Sequence, residues 1–417
     1  MKKILAILFV FCVFSLQAEE PNQPELAKSG SETAKSGSET VELSSLTQAQ
    51  RTFSFEILNA LATEKKEETN ISVAPMTLFL PLSMLAMGAD GETQEQMLGA
   101  LHLDAFDSET KQRFRTLREF LNLPLETSRI FSASRFFADA RWSPKLSQNY
   151  QKDLRTFFNS EVELLEIQDD PEAARAKINE WTALQTFDRI PNAFPPGALT
   201  PDTRFVLAAT LYFEAKWLHP FKPDQTRPDD FHLLGGKTKK ARFMNQSEAF
   251  KYYENDDFQV VFLPYREKAY EMILVLPKKP EGLADVRKKL NEEVWETLLS
   301  EQKLALVTLS LPRFQTKTDV SLVPALKALG MTDLFSEETA DLSGIDASGT
   351  LFLQMARMKT FLEVDEEGTI ATAAFGMGGG FMGGPREVTF QADHPFLFFI
   401  RDVNQNVILF AGQLCEP

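Results

Sequence analysis

Apolar residues at Phe53, Ile57, Leu58 and Leu61 keep helical spacing and predict a helix over 46–61. The stretch 70–87 opens on a proline turn and continues almost wholly apolar, which predicts a helix buried on most sides. Strand-like runs follow at 128–138, 204–213, 260–264, 271–276, 303–311, 360–364, 396–400 and 407–412. Helical patterns at 144–158, 172–184 and 283–299 lie between them. The order is irregular and ends in hairpin-like pairs. That pattern predicts an α+β fold with large antiparallel or mixed sheets, not a regular βα repeat.

The amino terminus departs from this pattern. Met1-Lys2-Lys3, a short apolar run to Leu16 and Ala18 before Glu19-Glu20 describe a secretory signal peptide over 1–18, too short to span a bilayer. Its brevity points to a bacterial source. Residues 19–45 read as a solvated linker, because the polar heptapeptide at 27–33 repeats unchanged at 34–40 without any apolar stripe. Over 46–417 no other such boundary appears before residue 376, although length alone would suggest two or three domains. Loss of the leader removes Lys2, Lys3 and Cys12, taking the formal charge from −15 to −17 and leaving Cys415 as the only cysteine. No intramolecular disulfide is then available, and stability rests on the core.

Composition narrows the chemistry. An excess of 59 acidic over 44 basic residues disfavours nucleic acid and anionic lipid as partners. His102, His219, His232 and His394 are scattered singly, so neither a metal nor another cofactor is expected. Nucleophile-elbow, zinc-protease and phosphate-loop motifs are all missing, so the chain does not read as an enzyme. The basic clusters at 237–240 and 287–289 read as solvated surface.

One segment is unusual. Glu366-Glu367-Gly368 leads into 369–384, sixteen residues with no charge and no proline. Thr369, Ala371, Ala373, Phe375 and Met377 would line one face of a strand; Ile370, Thr372, Ala374 and glycines would line the other. Small uncharged side chains on both faces suit a strand that slips between two neighbours, and every N–H remains free to pair. The glycines make its distal half costly to order. A glycine-rich surface loop is the plainer reading.

The run from Glu366 to Ala374 resembles the hinge of the serpins, the serine-protease-inhibitor family. Asn70-Ile71-Ser72-Val73-Ala74-Pro75, Leu211-Tyr212-Phe213-Glu214-Ala215-Lys216-Trp217, Leu311-Pro312-Arg313-Phe314 and Ala392-Asp393-His394-Pro395-Phe396 continue the likeness in order, over about 50–416. The resemblance implies a single α+β domain with three β-sheets, eight or nine helices and an exposed reactive-centre loop, the largest sheet receiving that loop. It implies a secreted suicide substrate: a protease acylates itself on the loop, and the cut loop then inserts as a strand and carries the enzyme with it. The implied partner is a serine protease, with cysteine proteases as a second class and the inhibitor a monomer.

Glu366, Gly368, Thr369, Ala371, Ala373 and Ala374 match the family's hinge. Sixteen residues on from Glu366, and five back from Glu387, both give Met382, so the reactive bond is expected at Met382–Gly383, with Phe381 the adjacent alternative. Methionine there suits elastase-, subtilisin- or chymotrypsin-like enzymes. Trp217 matches the tryptophan where the loop first enters. Many serpins keep a buried polar cluster under the point where the sheet opens; here the matching positions read Ala74, Ala209 and Met358, with Thr77 the polar remnant. The sheet is therefore expected to be held there by packing and to open without a histidine, independently of pH between 5 and 8. The glycine-rich run keeps a noninhibitory serpin, a binding protein or a cleaved substrate, as the alternative.

Overall fold

A computed structural model describes residues 43–65, 68–121, 128–141, 146–185, 188, 190–348, 351–369 and 386–417. They fall in one unit, Val41–Pro417. The expected leader, and the linker up to residue 42, lie outside the described residues.

The chain begins with α1 (Ser44–Glu64), β1 (Ile71–Val73), α2 (Pro75–Met87), α3 (Gly91–Leu101), α4 (Ser108–Leu121) and β2 (Ser128–Asp139). Next come α5 (Gln148–Asp153), a π-helical turn (Leu154–Phe158), β3 (Val162–Leu165), α6 (Pro171–Gln185), β4 (Phe205–Lys216), β5 (Arg227–His232) and β6 (Thr238–Glu254). Then follow β7 (Phe258–Pro264), β8 (Tyr270–Pro277), α7 (Leu283–Lys289), α8 (Glu292–Glu301), β9 (Lys303–Pro312), β10 (Phe314–Ser321) and α9 (Val323–Ala328). The chain closes with β11 (Arg357–Val364), β12 (Gly368–Thr369), β13 (Glu387–Gln391), β14 (Phe396–Asp402) and β15 (Val407–Leu414). Among the described residues there are thus nine α-helices, mixed with three hydrogen-bonded sheets.

The largest sheet has nine strands in the order β1-β15-β14-β8-β7-β6-β9-β13, with β5 on β6. Its strands β8, β14 and β15 are buried along their whole lengths, which is why they read as continuous apolar runs. Phe55 of α1 and Trp295 of α8 close on Phe399, with ring centroids 5.3–6.0 Å apart. A bulge where β14 meets β15 coincides with a buried glutamine: Gln50 donates to the Ile408 carbonyl at 2.8 Å and accepts from its N–H at 2.9 Å.

The sheet that β12 joins is not the largest one. β12-β4-β2-β3 form one ladder and β10-β11 another, and among the described residues β4 and β11 do not pair. Residues on β4 alternate between two cores. Phe205, Phe213 and Ala215 join the main core, while Val206 and Ala208 join Phe137 and Ile178 beneath α6.

Two predicted helices need correction. The stretch 70–87 begins with β1, and Pro75 then starts α2 at a position where its missing N–H costs nothing. The stretch 283–299 is two helices, broken where Leu290 is extended and the Asn291 side chain caps α8 through the Val294 N–H at 2.9 Å.

Candidate functional site

The chain leaving β11 is clamped before it reaches β12. Glu366 is buried; its carboxylate accepts from Arg313 Nε at 2.7 Å and from the Thr226 hydroxyl at 2.5 Å, and pairs with Arg313 Nη2. Burial pushes this carboxyl up, but the Arg313 and Thr226 hydrogen bonds outweigh it and hold the group below the usual glutamate range. Backbone bonds repeat the grip: the Phe221 N–H donates to the Glu366 carbonyl at 2.8 Å and the Trp217 N–H to the Glu367 carbonyl at 3.0 Å. The Trp217 indole stacks on Tyr265 with centroids 4.6 Å apart, and its N–H donates to the Asp365 carbonyl at 2.9 Å.

The clamp turns the chain back along β4. Asp365 Oδ1 accepts from the Glu367 N–H at 3.0 Å, and Gly368 sits at φ +151°. A Cβ at Gly368 would lie 2.2 Å from the Ala215 carbonyl oxygen, so only glycine lets the backbone approach this closely. Gly368 then pairs antiparallel with Lys216, and Thr369 with Ala215. Below these two pairs, among the described residues, β4 and β11 form no ladder with each other.

Two cavities are lined by residues of both β4 and β11. The core-side cavity is ≈ 40 Å³ and is lined by Ala74, Thr77, Leu78, Leu82, Ala209 and Met358 among others. The α6-side cavity is ≈ 20 Å³ and is lined by Thr182, Phe194, Ala208 and Thr210 among others. Both touch Leu207 and Ala209 of β4 and Arg357 and Lys359 of β11. Each holds an unsatisfied hydroxyl: Thr77 on the core side and Thr210 on the α6 side are buried without a hydrogen-bond partner. No histidine lines either cavity among the described residues.

A buried hydroxyl cluster that sequence reading missed stands beside the core-side cavity. The Ser72 N–H donates to Thr318 Oγ1 at 2.8 Å, Ser72 Oγ lies 2.7 Å from Thr360 Oγ1, and the Thr360 hydroxyl donates to the Ser72 carbonyl at 2.9 Å. It ties the β10–β11 half to β1. Packing is therefore not alone in holding this point: Ser72 and Thr360 stand two residues along the chain from Ala74 and Met358, and Thr360 lines the same cavity. The available signal was Ser72 itself, a polar residue inside a buried apolar run.

A family model described as Serpin (serine protease inhibitor) matches residues 48–417. Mouse antithrombin-III is 31% identical over 406 residues, covering 95% of this chain and 87% of the relative. Human Serpin B8 is 33% identical over 381 residues, covering 90% of this chain and all of the relative. The solved structure of tengpin, a thermophilic serpin in its native state, superposes with a TM-score of 0.79 at 25% identity, covering 89% of this chain and 94% of tengpin.

This chain belongs to the serpin family.

In this serpin, Glu366, Gly368, Thr369 and Trp217 come together at one end of β4. Ala74, Thr77, Ala209 and Met358 come together around one cavity further down the same strand. Ala371, Ala373, Ala374, Phe381, Met382 and Gly383 lie outside the described residues. Arg313, Thr226 and Tyr265, which complete the clamp, were given no role from sequence, Arg313 standing only in a family-like stretch; the fold brings them to Glu366 and Trp217. Among the described residues no group of His, Cys, Asp and Glu could hold a metal ion, and no helix is long and apolar enough to cross a membrane. Cys415 is a buried free thiol.

Proposed function

We propose that this serpin is a secreted, monomeric suicide-substrate inhibitor of serine proteases of the elastase, subtilisin or chymotrypsin type, with cysteine proteases as a second target class. The protease nucleophile attacks the Met382 carbonyl, the Gly383 amine leaves, and an acyl-enzyme remains on the new carboxyl end. The freed chain from Thr369 onward then pairs down β4 between the two ladders, and inhibition succeeds when that pairing outruns deacylation. The observation that supports this reading is the position of β12: Gly368 and Thr369 are in antiparallel register with β4, which among the described residues forms no ladder with β11. Secretion is supported by the leader-like residues 1–18.

The test is incubation of the full chain with elastase, subtilisin and chymotrypsin, followed by denaturing gels and mass spectrometry. The expected result is an adduct that survives denaturant and a released fragment running from Gly383 to Pro417. Cleavage with turnover and no adduct would replace this reading by the noninhibitory one, to which the glycine run 376–384 lends itself.

A further inference from the structure

A third cavity, of ≈ 580 Å³, is lined by residues of α2, α4, β2, the π-helical turn and α6. It shares no residue with the Glu366 clamp or with the two small cavities beside β4. Its size falls in the range of about 300–1,000 Å³ usual for small-molecule sites.

The charge of its wall runs against that of the chain. The formal charge of the sequence is −15, yet the wall carries Arg118, Arg135 and Arg155 against one carboxylate, Glu161. Arg135 is neutralised within the fold. Its guanidinium pairs with Glu161 at 3.1 Å and with Glu163 at 2.6 Å, and lies over the Trp181 ring 5.6 Å from the centroid. Those contacts hold the indole in place as part of the wall. Arg155 differs: it is exposed, it stands on the π-helical turn that follows α5, and among the described residues it makes no ion pair. A guanidinium presents its N–H groups as a fork that matches a carboxylate, sulfonate or phosphate. An acid bound here would supply a counter-charge to Arg155 that the fold does not. The side-chain amides of Asn159 and Gln185 add neutral donors to the same wall.

Much of the remaining wall is apolar. Met84 of α2 and Phe158 of the π-helical turn stand with the half-buried Trp181. Four large apolar side chains are exposed among the described residues, and two of them adjoin this wall in sequence. Phe120, 42% exposed, precedes Leu121, and Leu184, 68% exposed, precedes Gln185. Leu184 also follows Trp181 by three positions on α6, which puts the two on neighbouring parts of one helix face. Inorganic phosphate would meet the arginines and leave these rings without a partner. An acid with an apolar body meets both.

We infer that this cavity binds a small amphipathic organic acid, its acidic head on Arg155 and Arg118 and its apolar body against Trp181, Phe158 and Met84. Binding there needs no loop insertion and no protease, since none of these residues belongs to the hinge, the clamp or β12.

The experiment is a fluorescence titration of the intact full chain with anilinonaphthalene sulfonate, and with phenylnaphthylamine as its uncharged analogue. Wild type is compared with Arg155→Glu, Arg155→Gln and Arg115→Glu. Arg115 is the control: it lies on α4, pairs with Glu119 and is not on the wall. The expected result is saturable binding of one sulfonate per chain, with the uncharged analogue weaker by about tenfold or more. Arg155→Glu should weaken the sulfonate by about tenfold or more and leave the uncharged analogue nearly unchanged. Arg155→Gln should fall between wild type and Arg155→Glu, which keeps the test valid if the new glutamate disturbs the turn. Arg115→Glu should bind as wild type does. The proposal is overturned if the sulfonate does not saturate at one site, if the uncharged analogue binds equally well, or if Arg115→Glu loses as much affinity as Arg155→Glu.

Discussion

Glu366 is a buried carboxylate whose stabilising partners are an arginine and a hydroxyl. Because its pKa is lowered in the folded protein from a reference of 4.5, its contribution is fully present above the unfolded value and is lost as pH falls through the folded one. The clamp should hold unchanged from pH 5 to 8 and weaken only in acid. Arg313 is partly exposed, so the effect is modest. Stability measured for the wild type and Glu366→Gln should differ by about 1 kcal/mol at pH 7 and converge by pH 3; a gap that widened in acid would remove the clamp from the account. Thr77 makes the opposite case. Its buried hydroxyl has no partner, and an unsatisfied group of this kind costs about 1–3 kcal/mol. Thr77→Val should therefore raise the stability of the intact protein by about 1 kcal/mol, read from chemical unfolding; a loss of that size would mean the hydroxyl is in use.

The element on which the hinge depends is β12, two residues long and held to β4 by a glycine approach. Gly368→Ala should lift this start off β4, because the added methyl meets the Ala215 carbonyl and the left-handed φ adds strain. Fewer acyl-enzymes should then be trapped, seen as at least a several-fold rise in the inhibitor consumed per protease inactivated; an unchanged ratio would show that the two starting pairs are dispensable. Such elements were unevenly legible. Strands β14 and β15 stood out because burial on both faces leaves them almost purely apolar. Strand β6 did not, since its 17 residues expose most of their polar side chains and break simple alternation. Helix α4 was missed for a related reason: its buried face is only Thr110, Phe114, Leu117 and Leu121 within a strongly charged stretch. The hinge composition was readable as a run of small residues, but the clamp was not, because Arg313 and Thr226 lie 53 and 140 positions from Glu366.

For the whole molecule, the split between the β4 and β11 ladders is the feature that matters. Among the described residues the two ladders do not pair, two hydroxyls are buried without partners, and small cavities of ≈ 40 and ≈ 20 Å³ lie on either side of β4. Each of these carries a free-energy cost that a central strand would remove, through ladder hydrogen bonds on both sides and through packing. The hydroxyl cluster of Ser72, Thr318 and Thr360 secures the β10–β11 half to β1. The most direct measurement is the thermal midpoint of the protein before and after one cut between 376 and 385, with both fragments retained. The account predicts that the cut molecule melts well above the intact one. A cut molecule that melts at or below the intact temperature would contradict it.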